Sequence, residues 1–89
     1  MELTQQQHAI LVAWIKNGLI KVEREDCSSY NTGELRHFFQ FSENGFFIDN
    51  STFNHAMQYC GYRVRSKDGD HWRFYISQES PAFRKPGHR

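Results

Sequence analysis

Residues 49–77, DNSTFNHAMQYCGYRVRSKDGDHWRFYIS, hold the clearest structural signals in the chain. Residues 49–51 are three candidate helix caps. Four apolar residues behind them have the spacing i, i+3, i+4 and i+7 of a helix face: Phe53, Ala56, Met57 and Cys60. Gly61 ends the pattern, because glycine readily takes the left-handed conformation that closes a helix. The stretch therefore predicts a helix at about 51–60.

The second part of the same stretch alternates apolar and polar residues around a turn, which predicts a β-hairpin. Its strands are Tyr62–Ser66 and His71–Ser77, and its turn is Lys67–Asp70. We expect a loop of three or five residues, because an odd number places the apolar residues on one face: Tyr62, Val64, Trp72, Phe74 and Ile76. The same register puts a second set on the solvent face: Arg63, Arg65, Arg73 and Tyr75.

Two further helices are expected before this stretch. Thr4 can cap a helix at about 4–16, which Asn17-Gly18 would end in a left-handed turn. A second helix at about 30–41 has three candidate caps: Ser28, Ser29 and Thr32. The β-branched segment Leu19–Val22 predicts a short strand or extended segment between the two helices.

Aromatic residues make up 16% of the chain, more than a domain of this size buries easily. The predicted core consists of Trp14, Leu35, Phe38, Phe53, Phe74 and Ile76. After the turn residues Ser42–Gly45, we expect Phe46–Ile48 to form a short buried link. Some members of another set should then be exposed: Tyr30, Phe41, Phe46, Tyr59, Tyr75 and Phe83.

The composition is that of one globular domain. Of the 89 residues, 38% are hydrophobic and 24% charged, which excludes a disordered chain. The start of the chain, Met1–Gln5, lacks the features of a signal peptide, and no long apolar run follows. We therefore expect a cytoplasmic protein without membrane contact. Cys27 and Cys60 lack the second cysteine pair of a zinc finger, and we interpret both as reduced thiols.

Charge is distributed unevenly along the sequence. Residues 1–62 contain four Lys or Arg and seven acidic residues, whereas residues 63–89 contain seven and three. A basic C-terminal region can bind a polyanion although the net charge is only +1. We expect a folded domain at 1–78 and a basic, flexible tail at 79–89.

The predicted order of elements is helix, short strand, helix, turn, helix and two-stranded hairpin. Over residues 4–77 it resembles the winged helix-turn-helix superfamily, in segments Thr32–Leu35, Asn50–Phe53, Cys60–Tyr62 and Trp72–Ile76. The chain is also similar to small winged-helix proteins of phages and other mobile elements. The resemblance implies an α+β fold in which the third helix meets a target and the hairpin forms the wing. The link Ser42–Asn50 is longer than the turn of simple helix-turn-helix units.

The first function that the resemblance implies is DNA binding, without enzymatic activity. Four residues of the third helix point away from its apolar stripe and can contact bases: Ser51, Asn54, His55 and Gln58. Four hairpin residues can contact phosphates: Arg63, Arg65, Lys67 and Arg73. An ordinary solvated helix face and hairpin surface would have the same composition, and that interpretation stays open.

The alternative is a winged helix that binds a protein, such as a phage or mobile-element protein that engages or inhibits a host or replication protein. It would use exposed aromatic residues and the acidic segment Glu23–Asp26. A homodimer, if one forms, would use the first helix. We expect no catalytic site, because the five histidines are scattered and no catalytic motif occurs. We also expect no cofactor and no metal. A zinc site with Cys60, His55 and either Cys27 or His37 is disfavoured, because Cys60 falls on the apolar stripe.

Overall fold

The computed structural model describes residues 2–24 and 26–83. Within them, three α-helices precede a two-stranded antiparallel sheet, so the fold is α+β as predicted. The elements are α1 (Gln5–Gly18), α2 (Thr32–Gln40), α3 (Asn50–Tyr59), β1 (Val64–Ser66) and β2 (Arg73–Phe74), followed by a 3-10 turn at Pro81–Phe83. None of the described helices combines the length and the apolar character needed to cross a membrane.

Each helix begins at a side chain that accepts a hydrogen bond from a free backbone N–H. The three caps are Thr4, Asn31 and Asp49. The prediction of Thr4 is confirmed, whereas α2 begins after Asn31 and not at the expected caps. The reason is Glu34, whose carboxylate accepts the Asn31 N–H while its own N–H bonds the Asn31 side chain.

The helices end in different ways. Gly61, with φ +86°, follows α3 in the left-handed conformation, as predicted. The stop predicted at Asn17-Gly18 is wrong, because α1 runs through Gly18 and Leu19 is extended. Gly18 instead allows a close approach: a Cβ atom there would lie 3.0 Å from the Ala82 Cβ of the C-terminal turn.

The hairpin has the predicted face assignment but an irregular register. Val64 pairs with Phe74 in the odd-numbered register, and Ser66 pairs with Arg73 after a shift between the two pairs. Because residues 67–72 link Ser66 to Arg73, the expected loop of three or five residues is wrong. The irregularity takes up the additional residue, as a β-bulge does.

The segment between α1 and α2 joins the hairpin. Lys21 pairs with Ile76, so the predicted extended segment Leu19–Val22 lies against the end of the second hairpin strand. Cys27 and Asn31 pair with Ser77 and Arg73. Arg73 thus has β1 on one side and the 27–31 segment on the other.

The core lies between the helices and the inner face of the sheet. The whole apolar stripe of α3 is buried, as predicted. Four of the predicted core residues are buried (Leu35, Phe53, Phe74 and Ile76), whereas Trp14 and Phe38 are only partly so. The buried link predicted at Phe46–Ile48 is wrong at Phe47, which is 67% exposed while Ile48 is fully buried.

Residues 80–83 pack on the domain. Ser80 is buried and accepts a hydrogen bond from the Ile20 N–H, and the ring of Phe83 lies 4.7 Å from that of Tyr30. The 3-10 turn at Pro81–Phe83 therefore lies within the segment expected to be a flexible tail, residues 79–89. The rest of the predicted tail, residues 84–89, lies outside the described residues.

Candidate nucleic-acid interface

The exposed face of α3 carries three of the four predicted helix residues. Ser51, His55 and Gln58 are exposed because they lie opposite the buried stripe. Hydroxyl, imidazole and amide groups can bond base edges or phosphate oxygens. The face has no cation of its own, since α3 contains neither lysine nor arginine.

Asn54 is not on this face, so its predicted exposure is wrong. The residue is only 3% exposed. Its Oδ1 accepts a hydrogen bond from the Thr32 hydroxyl at 2.6 Å, and its Nδ2 donates to the Asp70 backbone oxygen at 2.9 Å. Asn54 therefore joins α2, α3 and the hairpin loop and cannot read a base.

The α3 face borders a shallow cleft of about 630 Å³ shared with the start of the chain. Residues 2–5 and His8 line one side, and Ser51, His55 and Tyr59 line the other. The His8 ring meets Tyr59 edge-on, with 5.0 Å between ring centroids.

The predicted hairpin arginines share the outer face of the sheet. Arg65 Nη1 donates to the Ser28 backbone oxygen at 3.4 Å, and Arg73 Nε donates to that of Ser29 at 3.1 Å. The guanidinium of Arg63 lies 5.2 Å from the centre of the Tyr75 ring. We call these three arginines together with Tyr75 the arginine face.

Backbone carbonyls and an aromatic ring hold these guanidinium groups without neutralising them. Within residues 2–24 and 26–83, no carboxylate forms an ion pair with Arg63, Arg65 or Arg73. An arginine has five N–H donors, so a single bond to a carbonyl leaves most of the fork available. Such a fork matches the geometry of a phosphate group.

Lys21 adds a cation that the sequence analysis missed. It lines a small cleft of about 180 Å³ together with Arg63, Tyr75 and the acidic Glu23. Its Nζ is 5.1 Å from the centre of the Tyr62 ring. Lys21 belongs to the acidic half of the sequence, and only its pairing with Ile76 brings it here. In the sequence, the predicted strand at Leu19–Val22 was the one indication that Lys21 could lie beside the hairpin.

The hairpin loop carries both signs of charge. Lys67 Nζ lies 4.4 Å from the centre of the Trp72 ring, and Trp72 Nε1 donates to the Gly69 backbone oxygen at 2.8 Å. The Asp70 carboxylate accepts from Asn50 Nδ2 at 3.2 Å and lies 3.7 Å from His71 Nε2. Asp70 therefore places negative charge at the start of α3.

A second surface is apolar. The ring of Phe41, which is 76% exposed as the sequence allowed, lies on it, whereas the exposed ring of Tyr59 borders the α3 cleft. On the outer side of α2, a cleft of about 830 Å³ is lined largely by Trp14, Tyr30, Phe38, Phe41 and Ala82, with Glu34 and His37 among its polar residues.

The two cysteines are free thiols. Cys60 is buried, and burial raises the pKa of its thiol although Lys16 and Lys21 act in the opposite direction. A thiol with a raised pKa is a poor nucleophile and metal ligand. His55 is exposed while Cys60 is buried, and the described part of the chain has no group of three residues suited to hold a metal ion.

No protein-family model, curated protein or solved structure matches the chain.

Proposed function

We propose that the protein is a winged-helix domain that binds duplex DNA without catalysis. In this proposal the arginine face and Lys21 contact phosphates, and Ser51, His55 and Gln58 of α3 contact the adjacent groove. Lys67 contributes from the hairpin loop. The order of the elements, with a hairpin directly after α3, supports a winged helix.

The observation that carries the proposal is the state of the three arginines. Their guanidinium groups are held on one face by Ser28, Ser29 and Tyr75, yet no described carboxylate pairs with them. A cation that is fixed in place but not neutralised loses little freedom when it binds a phosphate. A merely solvated surface has no need of this arrangement.

Binding should then depend on salt, because each phosphate contact releases counterions from the DNA. We expect the wild-type protein to bind random-sequence duplex DNA at about 50 mM salt and to weaken steeply by about 200 mM. Replacing Arg63, Arg65 and Arg73 together by alanine should lower the slope of log K against log[salt] by about 2 to 3.

A matched variant separates charge from geometry. Replacing the same three arginines by lysine keeps the charge but removes the planar fork. This variant should keep most of the salt slope while binding more weakly than the wild type. If the wild-type protein does not bind duplex DNA even at about 50 mM salt, the proposal is wrong.

The second candidate function is binding to another protein. The observation that favours it is the apolar surface formed by the cleft on α2 with the exposed rings of Phe41 and Phe47. Exposed aromatic groups are enriched in protein interfaces. A partner captured by the wild-type protein and lost with Phe41→Ser, but retained by the triple alanine variant, would support this candidate.

A further inference from the structure

A chain of hydrogen bonds, buried between Thr32 and Asn54 and partly buried at the hairpin loop, connects α2, α3 and that loop. The Thr32 hydroxyl donates to Asn54 Oδ1 at 2.6 Å and accepts from the Trp72 N–H at 2.8 Å. The Thr32 N–H in turn donates to the Trp72 backbone oxygen at 2.9 Å. Asn54 Nδ2 completes the chain by donating to the Asp70 backbone oxygen.

A second chain runs beside the first. Arg36 Nε donates to Asn50 Oδ1 at 2.7 Å, and Asn50 Nδ2 donates to the Asp70 carboxylate at 3.2 Å. The loop is therefore attached at Asp70 by its backbone and by its side chain, and again at Trp72. Thr32 is fully buried, whereas Asn50 and Asp70 are partly or fully open to solvent.

These contacts hold the hairpin loop on the helices, whereas the rest of the hairpin is held by core residues such as Phe74 and Ile76. The hairpin loop has no apolar residue inside the core, since Trp72 is only partly buried and residues 67–71 are exposed. Buried polar contacts are costly to break and are more directional than apolar packing. A loop held mainly by such contacts is fixed in one position as long as they are intact.

We propose that Thr32 and Asn54 are positioning residues that fix the hairpin loop, and with it the adjacent Arg73, relative to α3, so that the arginine face and α3 present one rigid binding surface. The inference rests on the proposed DNA binding for its functional consequence, but the positioning itself can be measured without DNA. Asn54, expected from the sequence to contact bases, thus acts through the hairpin.

Thr32→Val is the direct test, because valine keeps the shape of threonine and removes the hydroxyl. Thr32→Ser, which retains the hydroxyl, is the matched control. In hydrogen exchange, the Trp72 N–H of Thr32→Val should exchange at least about tenfold faster relative to the α1 amides, while Thr32→Ser should resemble the wild type. Equal protection of Trp72 in Thr32→Val and the wild type would overturn the positioning role.

DNA binding gives the second readout. We expect Thr32→Val to bind duplex DNA about five- to tenfold more weakly than the wild type, with affinity restored in Thr32→Ser. Faster exchange at Trp72 with unchanged affinity would overturn the link to binding. If the wild type itself does not bind DNA, the proposed function fails, and the exchange data still decide the positioning role.

Should Thr32→Val not fold, the wild-type protein provides the test. The Trp72 N–H should then exchange as slowly as amides in the middle of α3 and far more slowly than the N–H of its neighbour His71, which bonds only within the turn. Rapid exchange at Trp72 would contradict the proposal.

Discussion

Ser28 and Ser80 are both buried serines, but their hydroxyl groups have different surroundings. Among the described residues, the Ser28 Oγ is buried without a hydrogen-bond partner, whereas the Ser80 Oγ accepts from Ile20 and donates to Ser77. An unpaired buried hydroxyl costs about 1–3 kcal/mol. Ser28→Ala should therefore leave the free energy of unfolding unchanged or raise it by up to ~1 kcal/mol.

Ser80→Ala is the control, since the same change there leaves the Ile20 N–H without a partner and removes one of the two hydrogen bonds that the Ser77 carbonyl accepts. We expect it to lower the free energy of unfolding by about 1–3 kcal/mol. Urea denaturation of both variants measures the difference. A loss in Ser28→Ala as large as that in Ser80→Ala would contradict the assignment.

Tyr62 predicts how stability depends on alkaline pH. Its hydroxyl donates to the backbone oxygens of Leu19 and Ile15, at 2.6 and 3.2 Å. Burial, with the nearby Cys60, raises the pKa of Tyr62 to about 12. The unfolded chain loses this proton near pH 10 and the folded chain only near pH 12. The folded state thus holds the proton longer, and its stability falls as pH rises through this interval.

Tyr62→Phe removes that proton and the two hydrogen bonds. Between pH 10 and 12 the wild type should lose roughly 2 kcal/mol more stability than Tyr62→Phe does. At pH 7 the variant should be less stable by about 1 kcal/mol. Urea unfolding at a series of pH values provides both numbers, and parallel pH profiles for the two proteins would refute the role of Tyr62.

At the scale of single residues, the sequence predicted which side chains share the buried face of a regular helix. It did not predict burial that depends on contacts with residues far along the chain. The stripe of α3 follows from helical spacing alone. The burial of Asn54 depends on Thr32 and Asp70, which are 22 and 16 positions away. The exposure of Phe47 likewise depends on how an irregular link turns. No local pattern carries this information.

The end of α2 depends on the chain that folds back beneath it. At Gly45, a Cβ atom would overlap the Phe39 carbonyl oxygen and lie 2.7 Å from that of Gln40. Both atoms belong to the backbone and cannot move aside cheaply. Gly45→Ala should therefore lower the free energy of unfolding by about 3 kcal/mol.

Gly33→Ala, which lies in α2 itself, is the matched control. Its new Cβ would first meet the ring of the exposed His71, at 3.3 Å, which can rotate away. Alanine also favours helix over glycine by up to ~1 kcal/mol, so this variant should be neutral or slightly more stable. Equal destabilisation of the two variants in thermal unfolding would contradict the packing at Gly45.

At the scale of elements, the sequence predicted the type and order of every helix and strand. It placed α3 within one residue of its observed ends, because the candidate caps, the apolar stripe and Gly61 all indicate the same bounds. It missed the continuation of α1 through Gly18, at the point where the helix closely approaches Ala82. It also missed the 3-10 turn, whose packing on Tyr30 and Phe38 joins segments far apart in sequence.

For the whole molecule, the functional question is which of two surfaces meets the partner. The arginine face is positively charged and held by the backbone oxygens of Ser28 and Ser29 and by the Tyr75 ring, whereas the cleft on α2 is apolar. Composition predicted both, since the basic C-terminal region and the excess of aromatic residues were visible in the sequence. Their positions depend on the pairing of residues 20–31 with the hairpin, which no sequence pattern specified.

The most direct test of DNA binding by the arginine face is a nuclear magnetic resonance titration of the ¹⁵N-labelled wild-type protein with a random-sequence duplex at low salt. The account predicts that amide shifts concentrate at residues 63–66, 73–75 and 28–29, extend to the exposed face of α3, and vanish at high salt. Shifts confined to the cleft around Phe38 and Phe41, or none at all, would contradict it.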